Sequence, residues 1–284
     1  MRLFLLTALT MTAFAANSIL NRLAVDSGAI DPASFAILRV LSGAVVLTAL
    51  VLLRGGTLEL RARRRLVGAG SLTLYMIGFS AAYLTLDAGL GALVLFAVVQ
   101  VTIFAIAALR GAPPLPRQAL GAAIAFSGLT WVLWPAGAVR ADPVGVMFMV
   151  AAGVGWAIYT LAGRREPDAL AGTAANFCVA LPMVLVAPLI LGGAMSVSLT
   201  GLGLAVLSGA GTSGLGYALW YSVVGRFTPS MAAIVQLAAP IIALVAGVAL
   251  LGEQLSLRLV LGGGLVLGGI ALASRRGGGR TARK

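Results

Sequence analysis

The chain has 284 residues, 60% of them hydrophobic and 10% charged, with a mean hydropathy of +1.05. A soluble domain of this length carries about 25% charged residues, so a water-soluble globule is excluded and the bilayer is the solvent. The net charge of +12 would suit a nucleic-acid binder, but the loop-by-loop distribution described below excludes that partner.

Charged residues cut the sequence into uncharged runs, most of them near the ~20 residues that a spanning helix needs. They predict ten spans near 3–23, 32–53, 65–86, 89–109, 117–135, 143–163, 169–191, 199–222, 229–251 and 257–274. The run 169–225 is too long for one span and divides at Gly192 and Gly193. The segments are continuously apolar, rich in Leu, Ala, Val and Gly, and lack the alternation of barrel strands. The expected fold class is therefore all-α integral membrane. Met1-Arg2 and the apolar stretch ending Ala13-Phe14-Ala15-Ala16 have the form of a signal peptide. The repeat described below gives this segment a partner, so it is expected to stay as the first span.

Taken in order, the spans carry few polar groups. Asn17 and Asn21 lie in span 1, where interhelical packing bonds are the plainer reading and Asn17 is also a candidate substrate contact. Arg39 lies inside span 2, about 10 Å from its outer end. It either snorkels or bonds helix carbonyls, or it anchors a substrate carboxylate or an outer gate, with Glu253 as partner. Tyr75, Phe79 and Tyr83 share one face of span 3. Gln100 in span 4 and Gln236 in span 9 sit at matched depth, about 12–14 Å above the inner surface. An amide donates to a carboxylate and accepts from an ammonium, which suits a zwitterion; an interhelical hydrogen bond is the alternative.

Gly121 and Gly128 in span 5, and Gly264-x-x-x-Gly268 in span 10, mark close helix packing within a monomer; dimerisation through these outer helices is the alternative. Trp156 and Tyr159 lie in span 6. Asn176 and the single cysteine, Cys178, lie in span 7, with Pro182 and Pro188. Span 8 holds Tyr217, Trp220 and Tyr221 on one face, after four glycines (Gly209, Gly211, Gly214, Gly216) that suit hinges. The aromatic rings fit either a substrate pocket or an interfacial belt; Tyr83, Trp220 and Tyr221 are nearest the span ends. Pro240 is expected to kink span 9. Glu253, just beyond, is a candidate charge anchor, or a carboxylate at the positive N-terminus of the tenth helix, which Ser256 can cap.

The chain also repeats. Gly111 to Gly121 and Gly252 to Gly262 have the same spacing, and Gly128 falls on Gly269 at the same offset of 141. An offset of 142 lays Phe14–Arg22 over Trp156–Arg164. The reading is a first five-helix repeat (1–141), a second (142–274) and a basic tail (275–284). Five spans per repeat place the second copy upside down, an arrangement that supports alternating access around a central site. With the N-terminus inside, sixteen Lys and Arg fall in inner loops and three in outer ones. The positive-inside rule then sets both termini in the cytoplasm, and the basic charge is spent on topology.

All eight acidic residues fall in loops or at span ends, away from the hydrocarbon centre where proton relays sit. Facilitated diffusion or exchange is expected, without proton coupling. The chain has no histidine and no metal-ligand spacing around Cys178. No enzymatic activity and no cofactor or metal are expected.

Pro229, Ala232, Ala233, Pro240, Leu251-Gly252-Glu253, Leu255-Ser256 and the glycines Gly262 to Gly269 resemble the signature of EamA-type members of the drug/metabolite transporter superfamily. Size and layout look like the aromatic-amino-acid exporter branch. The first half departs from the pattern, with Arg110-Gly111-Ala112 in place of Leu-Gly-Glu and Val99 opposite Pro240. The resemblance implies a basket of helices, spans 1–4 and 6–9, around a central cavity, with spans 5 and 10 outside. It implies a secondary transporter in a bacterial inner membrane that exports small metabolites, foremost amino acids, aromatic ones among them. A lipid or lipid-linked-substrate flippase and a drug or metabolite carrier of the same fold are the alternatives. The partners are then a small-molecule substrate and membrane lipids.

Overall fold

The computed structural model describes residues 1–111, 115–133, 141–164, 166–227, 232 and 235–274. Arg140, Arg165, Pro229, Ala233 and the tail 275–284, which entered the sequence reading, lie outside these residues.

The described chain is helical, and among the described residues no strand forms beyond one isolated antiparallel bridge between Ile30 and Val197. The first half holds α1 (Arg2–Asp26), α2 (Pro32–Leu53), α3 (Arg63–Ala82), α4 (Ala88–Leu109) and α5 (Pro116–Leu133). The second holds α6 (Pro143–Gly163), α7 (Ala169–Val184), the short α8 (Ala187–Leu191), α9 (Leu199–Val206), a π-helical stretch Leu207–Leu215, α10 (Gly216–Val224), α11 (Ala238–Leu251) and α12 (Leu257–Ser274). Local chemistry sets many of the starts. Asp31, Asp142, Asp168 and Ser198 each accept a backbone N–H of the following first turn, which stabilises a helix by about 1 kcal/mol per cap. Pro32 and Pro143 open α2 and α6, where their missing N–H is not needed.

Among the described residues, five helices are long and apolar enough to cross a membrane: Arg2–Asp26, Pro32–Leu53, Ala88–Leu109, Pro143–Gly163 and Leu199–Val224. The last runs unbroken through α9, the π stretch and α10. Ala169–Val184, Ala238–Leu251 and Leu257–Ala273 are shorter apolar helices.

Glycines set the helix packing. A Cβ on Gly121 would strike the Gly269 carbonyl, and one on Gly128 the Gly262 carbonyl; Gly269 and Gly262 meet α5 in return. Low numbers in α5 face high numbers in α12, so the pair crosses antiparallel, with backbones close enough to exclude any side chain. In the same way Gly78 of α3 abuts the Phe148 carbonyl of α6, and Gly155 abuts Ser71 and Tyr75.

Three expectations change. Gly264 and Gly268 meet nothing within 4 Å; Gly262 and Gly269, on the opposite face of α12, make the contact instead. The seventh segment is not one helix over 169–191. Pro182 removes a donor inside α7, which ends at Val184, and α8 restarts with Pro188 in its first turn. Pro240 marks a break in span 9 and not a bend in one continuous helix: Gln236 is helical, Leu237 is a turn with αR angles, and α11 restarts at Ala238, as expected where a proline removes the donor to the residue-236 carbonyl and crowds it.

Candidate functional site

The site forms on the seam between the halves, where α2 meets the π stretch. A Cβ on Gly43 would strike the Phe177 ring, and one on Gly209 the Arg39 carbonyl and the Ser42 hydroxyl. Because both positions are glycine, α2 presses Arg39 against the second half, and Arg39 is wholly buried. Its Nε donates to Ser213 Oγ at 2.7 Å, and its Nη2 donates to Tyr217 Oη at 2.8 Å and Tyr75 Oη at 3.2 Å. Its guanidinium carbon lies 4.9 Å from the Phe79 ring centre and 5.4 Å from that of Tyr75, in cation–π range. Nη1 has no hydrogen-bond partner.

The expected Arg39–Glu253 pair does not form. Every Asp and Glu side chain is engaged elsewhere. Asp26 and Asp87 flank Arg22, Glu59 pairs with Arg64, Glu166 with Arg65 and Asp168 with Arg54. Asp31, Asp142 and Glu253 accept backbone N–H groups. The charge on Arg39 is met only by neutral groups.

The π stretch supplies a second buried knot. A π turn carries an extra residue and recurs at functional sites. Here it turns Ser208, Thr212 and Ser213 toward one acceptor, Asn17 Oδ1, at 2.9, 2.6 and 3.0 Å. Ser213 thus joins Asn17 to Arg39. Asn17 Oδ1 is saturated, whereas Asn17 Nδ2 is buried with no partner. The sequence reading took this stretch as hinge glycines and missed its hydroxyls. The signal was there: three Ser and Thr within six residues of an apolar span.

Aromatic rings close the site. Phe14 lies 5.2 Å from Trp156, Trp156 lies 4.7 Å from Tyr217, and Tyr159 stacks on Tyr221 at 5.1 Å. Tyr83, Trp220 and Tyr221, placed nearest an interfacial belt by sequence, are buried instead. Phe14, Asn17, Tyr75, Phe79, Trp156 and Tyr217 surround a residual void of about 10 Å³, far below the ~300–1,000 Å³ usual for small-molecule sites. The expected open central cavity is closed in this conformation. Gln236 accepts from Trp156 Nε1 at 3.4 Å, beside the void, while both amide atoms of Gln100 are buried without partners. The two glutamines, paired by depth in the sequence, share no hydrogen bond.

Polar locks cross between the halves beyond this core. At the end carrying the start of α3, Arg65 is buried and binds Glu166 through two oxygens, at 2.6 and 3.1 Å, and also reaches the Gly172 and Glu59 carbonyls. Beside it, Arg54 pairs with Asp168, and this bond lowers the Asp168 pKa. The sequence reading had Glu166 only as a loop charge. Its burial comes from Arg65, 101 positions away.

At the opposite end, Asp31 accepts from Ser34 N at 2.9 Å and Ser196 N at 2.8 Å, Asp142 accepts from Thr85 Oγ1 at 3.0 Å, and, within the first half, Arg22 donates to the Tyr83 carbonyl. Glu253 accepts from Ala88 N at 2.5 Å and Gly89 N at 3.2 Å. It therefore caps α4, in the other half, and not the tenth helix, which Ser256 caps through Leu259 N at 3.1 Å. Burial raises the Glu253 pKa, against these two bonds. A groove lined by Arg22, Asp26, Asp87, Glu253 and Ser256 opens at this end.

Comparison with known proteins places the chain. Residues 143–275 match the model of the EamA-like transporter family. That match covers the second half of the chain and is what this half is similar to. An uncharacterized protein of Pseudomonas aeruginosa is 44% identical over 283 residues, spanning 100% of this chain and 98% of its own length. An uncharacterized transporter of Archaeoglobus fulgidus is 31% identical over 56% of this chain and 58% of its own length. A solved crystal structure, 25% identical, superposes with a TM-score of 0.65 over 94% of this chain and 98% of its own. The matched segment contributes Trp156, Ser213, Tyr217, Gln236 and Glu253. Arg39, Asn17 and Tyr75 come from the half that precedes it.

Proposed function

We propose that the chain is a secondary transporter of a bacterial inner membrane, built as two inverted five-helix repeats that rock about the seam. What carries this reading is Arg39: a buried charge in an apolar helix, held by polar groups from both halves. Ionisable groups inside a membrane are costly and mark solute paths. The antiparallel crossing of α5 and α12, through glycines related by the 141-residue offset, supports the inverted arrangement.

The closed void is read as an occluded state, and the locks at both ends as gates. With the positive-inside orientation, the Arg65–Glu166 gate is cytoplasmic and the Glu253 groove faces outward. Opening one gate while the other holds gives alternating access. Substrate lies among Asn17, Tyr75, Phe79, Trp156 and Tyr217, with Arg39 as charge anchor and Gln100, Gln236 and Tyr159 bordering the path. The substrate class is a small metabolite with a carboxylate and an apolar body, with export of amino acids, aromatic ones first, as the starting case.

The test is flux in proteoliposomes loaded with labelled aromatic and aliphatic carboxylates, amino acids included, with and without a pH gradient. Saturable flux, reduced in Gln236→Ala and indifferent to the pH gradient, is the expected result. No saturable flux of any solute from folded protein overturns it.

A further inference from the structure

The identity of the transported charge follows from what Arg39 lacks. Its guanidinium is fully buried, and all eight Asp and Glu side chains are committed to other partners. A buried cation without a counter-charge is strongly disfavoured. The neighbouring groups reduce that cost with three hydrogen bonds and two ring faces, but they bring no negative charge.

Three donors are left over around the same point. Arg39 Nη1 and Asn17 Nδ2 are buried without acceptors. Tyr75 Oη accepts from both Arg39 and Tyr217, so its own hydrogen has no acceptor in this knot. The amide acceptor that joins this knot is used up: Asn17 Oδ1 already takes three hydroxyl hydrogens. A carboxylate would answer all of these demands. An ammonium would find no free carboxylate here and would face a fixed positive charge; the unpartnered Oε1 of Gln100 and Oδ1 of Asn21 are neutral acceptors and bring no negative charge. The walls of the adjoining void, Phe14, Phe79, Phe96, Leu95 and Trp156, are apolar and suit an aryl or branched alkyl body.

We infer that the seam site selects net-anionic monocarboxylates with an aryl or alkyl body over the zwitterionic amino acids of the same shape. The inference rests on the carrier reading for transport but not for binding. Bound anion and Arg39 then cross as a neutral pair, and the empty site returns carrying its charge. Net flux is therefore electrogenic and follows the membrane potential, and it needs no proton.

Three probes share a phenyl ring and differ in charge: 3-phenylpropionate (anion), phenylalanine (zwitterion) and phenylethylamine (cation). Thermal stabilisation of the purified full chain in detergent reads binding, and proteoliposome flux under an imposed potential reads transport. Phenylpropionate is expected to bind at least about tenfold more tightly than phenylalanine, phenylethylamine to give no shift, and phenylpropionate flux to reverse with the sign of the potential. Arg39→Met, which removes the buried charge, is expected to stay folded and to lose the anion preference. Equal or tighter binding of phenylalanine, any saturable binding of phenylethylamine, or an anion preference kept in folded Arg39→Met overturns the inference. Saturable phenylalanine flux with no anion preference leaves the carrier standing and sinks the inference. Tight anion binding without flux of any probe does the reverse.

Discussion

Tyr217 Oη donates to Tyr75 Oη at 3.1 Å across 142 positions of sequence, the same offset that lays Phe14–Arg22 over Trp156–Arg164. Phe14 and Trp156, also 142 apart, pack edge to face at 5.2 Å. If the halves are repeats, as proposed, equivalent residues touch only beside the axis that relates them, and these two contacts lie beside the Arg39 knot.

Removing one hydroxyl from that knot should be felt through its partner. Tyr75→Phe and Tyr217→Phe are each expected to cost about 1 kcal/mol of stability, since bonds to a charged group contribute about 1.5–3 kcal/mol in soluble proteins and less in membranes. The double variant should cost less than the sum, because both singles unsatisfy the same nitrogen. Thermal unfolding of the four proteins gives the coupling; strict additivity would show that the hydroxyls act independently.

The Arg65–Glu166 pair is buried and two-pronged, so removing one member strands a charge. Glu166→Gln or Arg65→Gln should cost about 3–5 kcal/mol, and Arg65→Met with Glu166→Leu far less. If this pair also gates one end, the singles will expose a cysteine introduced near Tyr159 to a water-soluble maleimide. Unchanged labelling in a folded single variant argues against a gate here.

Two loop carboxylates give opposite pH signatures. Arg54 lowers the Asp168 pKa, so the contribution of Asp168 is full above the ordinary value of 3.8 and is lost as pH falls through the lowered value. The pair is about half exposed, so Asp168→Asn, which keeps the cap on α7, should cost less than about 1 kcal/mol. Burial raises the Glu253 pKa above the ordinary 4.5. Stability should therefore rise as pH falls through that raised value, and level off near 4.5. Glu253→Gln should remove this rise while keeping one cap bond to α4, and Glu253→Ala should destabilise at every pH. Unfolding midpoints from pH 4 to 8 read both signs; a flat wild-type profile over the Glu253 window would contradict its burial.

The glycines of α12 divide into two faces with different tolerance. Gly269→Val should cost about 1–3 kcal/mol by overpacking against α5, since its Cβ would meet Gly121 and Ala125. Gly264→Val should be nearly neutral, as open space surrounds it. Equal losses at both positions would mean that a second surface covers Gly264.

The helical segments were legible because charges cannot rest in hydrocarbon, so their gaps mark the spans. Arg39 stood out for the same reason. The knot itself was hidden. Asn17 and Ser213 are 196 positions apart, and no local pattern says that three hydroxyls share one oxygen. Glu253 shows the same limit: its place at a positive helix end was legible, but which helix it caps depended on packing across the halves. Gln100 and Gln236 were matched by depth, which sequence gives, while the direction each side chain faces is set by neighbours that sequence does not order.

The π stretch has a consequence for how this chain tolerates change in length. A helix advances about 100° per residue, and Leu207–Leu215 holds its extra residue without breaking the run from Leu199 to Val224. Deleting one residue from this stretch would let ordinary α geometry return. Everything after it would then swing by about 100°, carrying Tyr217, Trp220 and Tyr221 off the seam although none had been altered. A conservative substitution at Ala210 would leave that bearing untouched. The count of residues between Leu207 and Leu215, more than their identity, aims the aromatic face of the second half at Arg39.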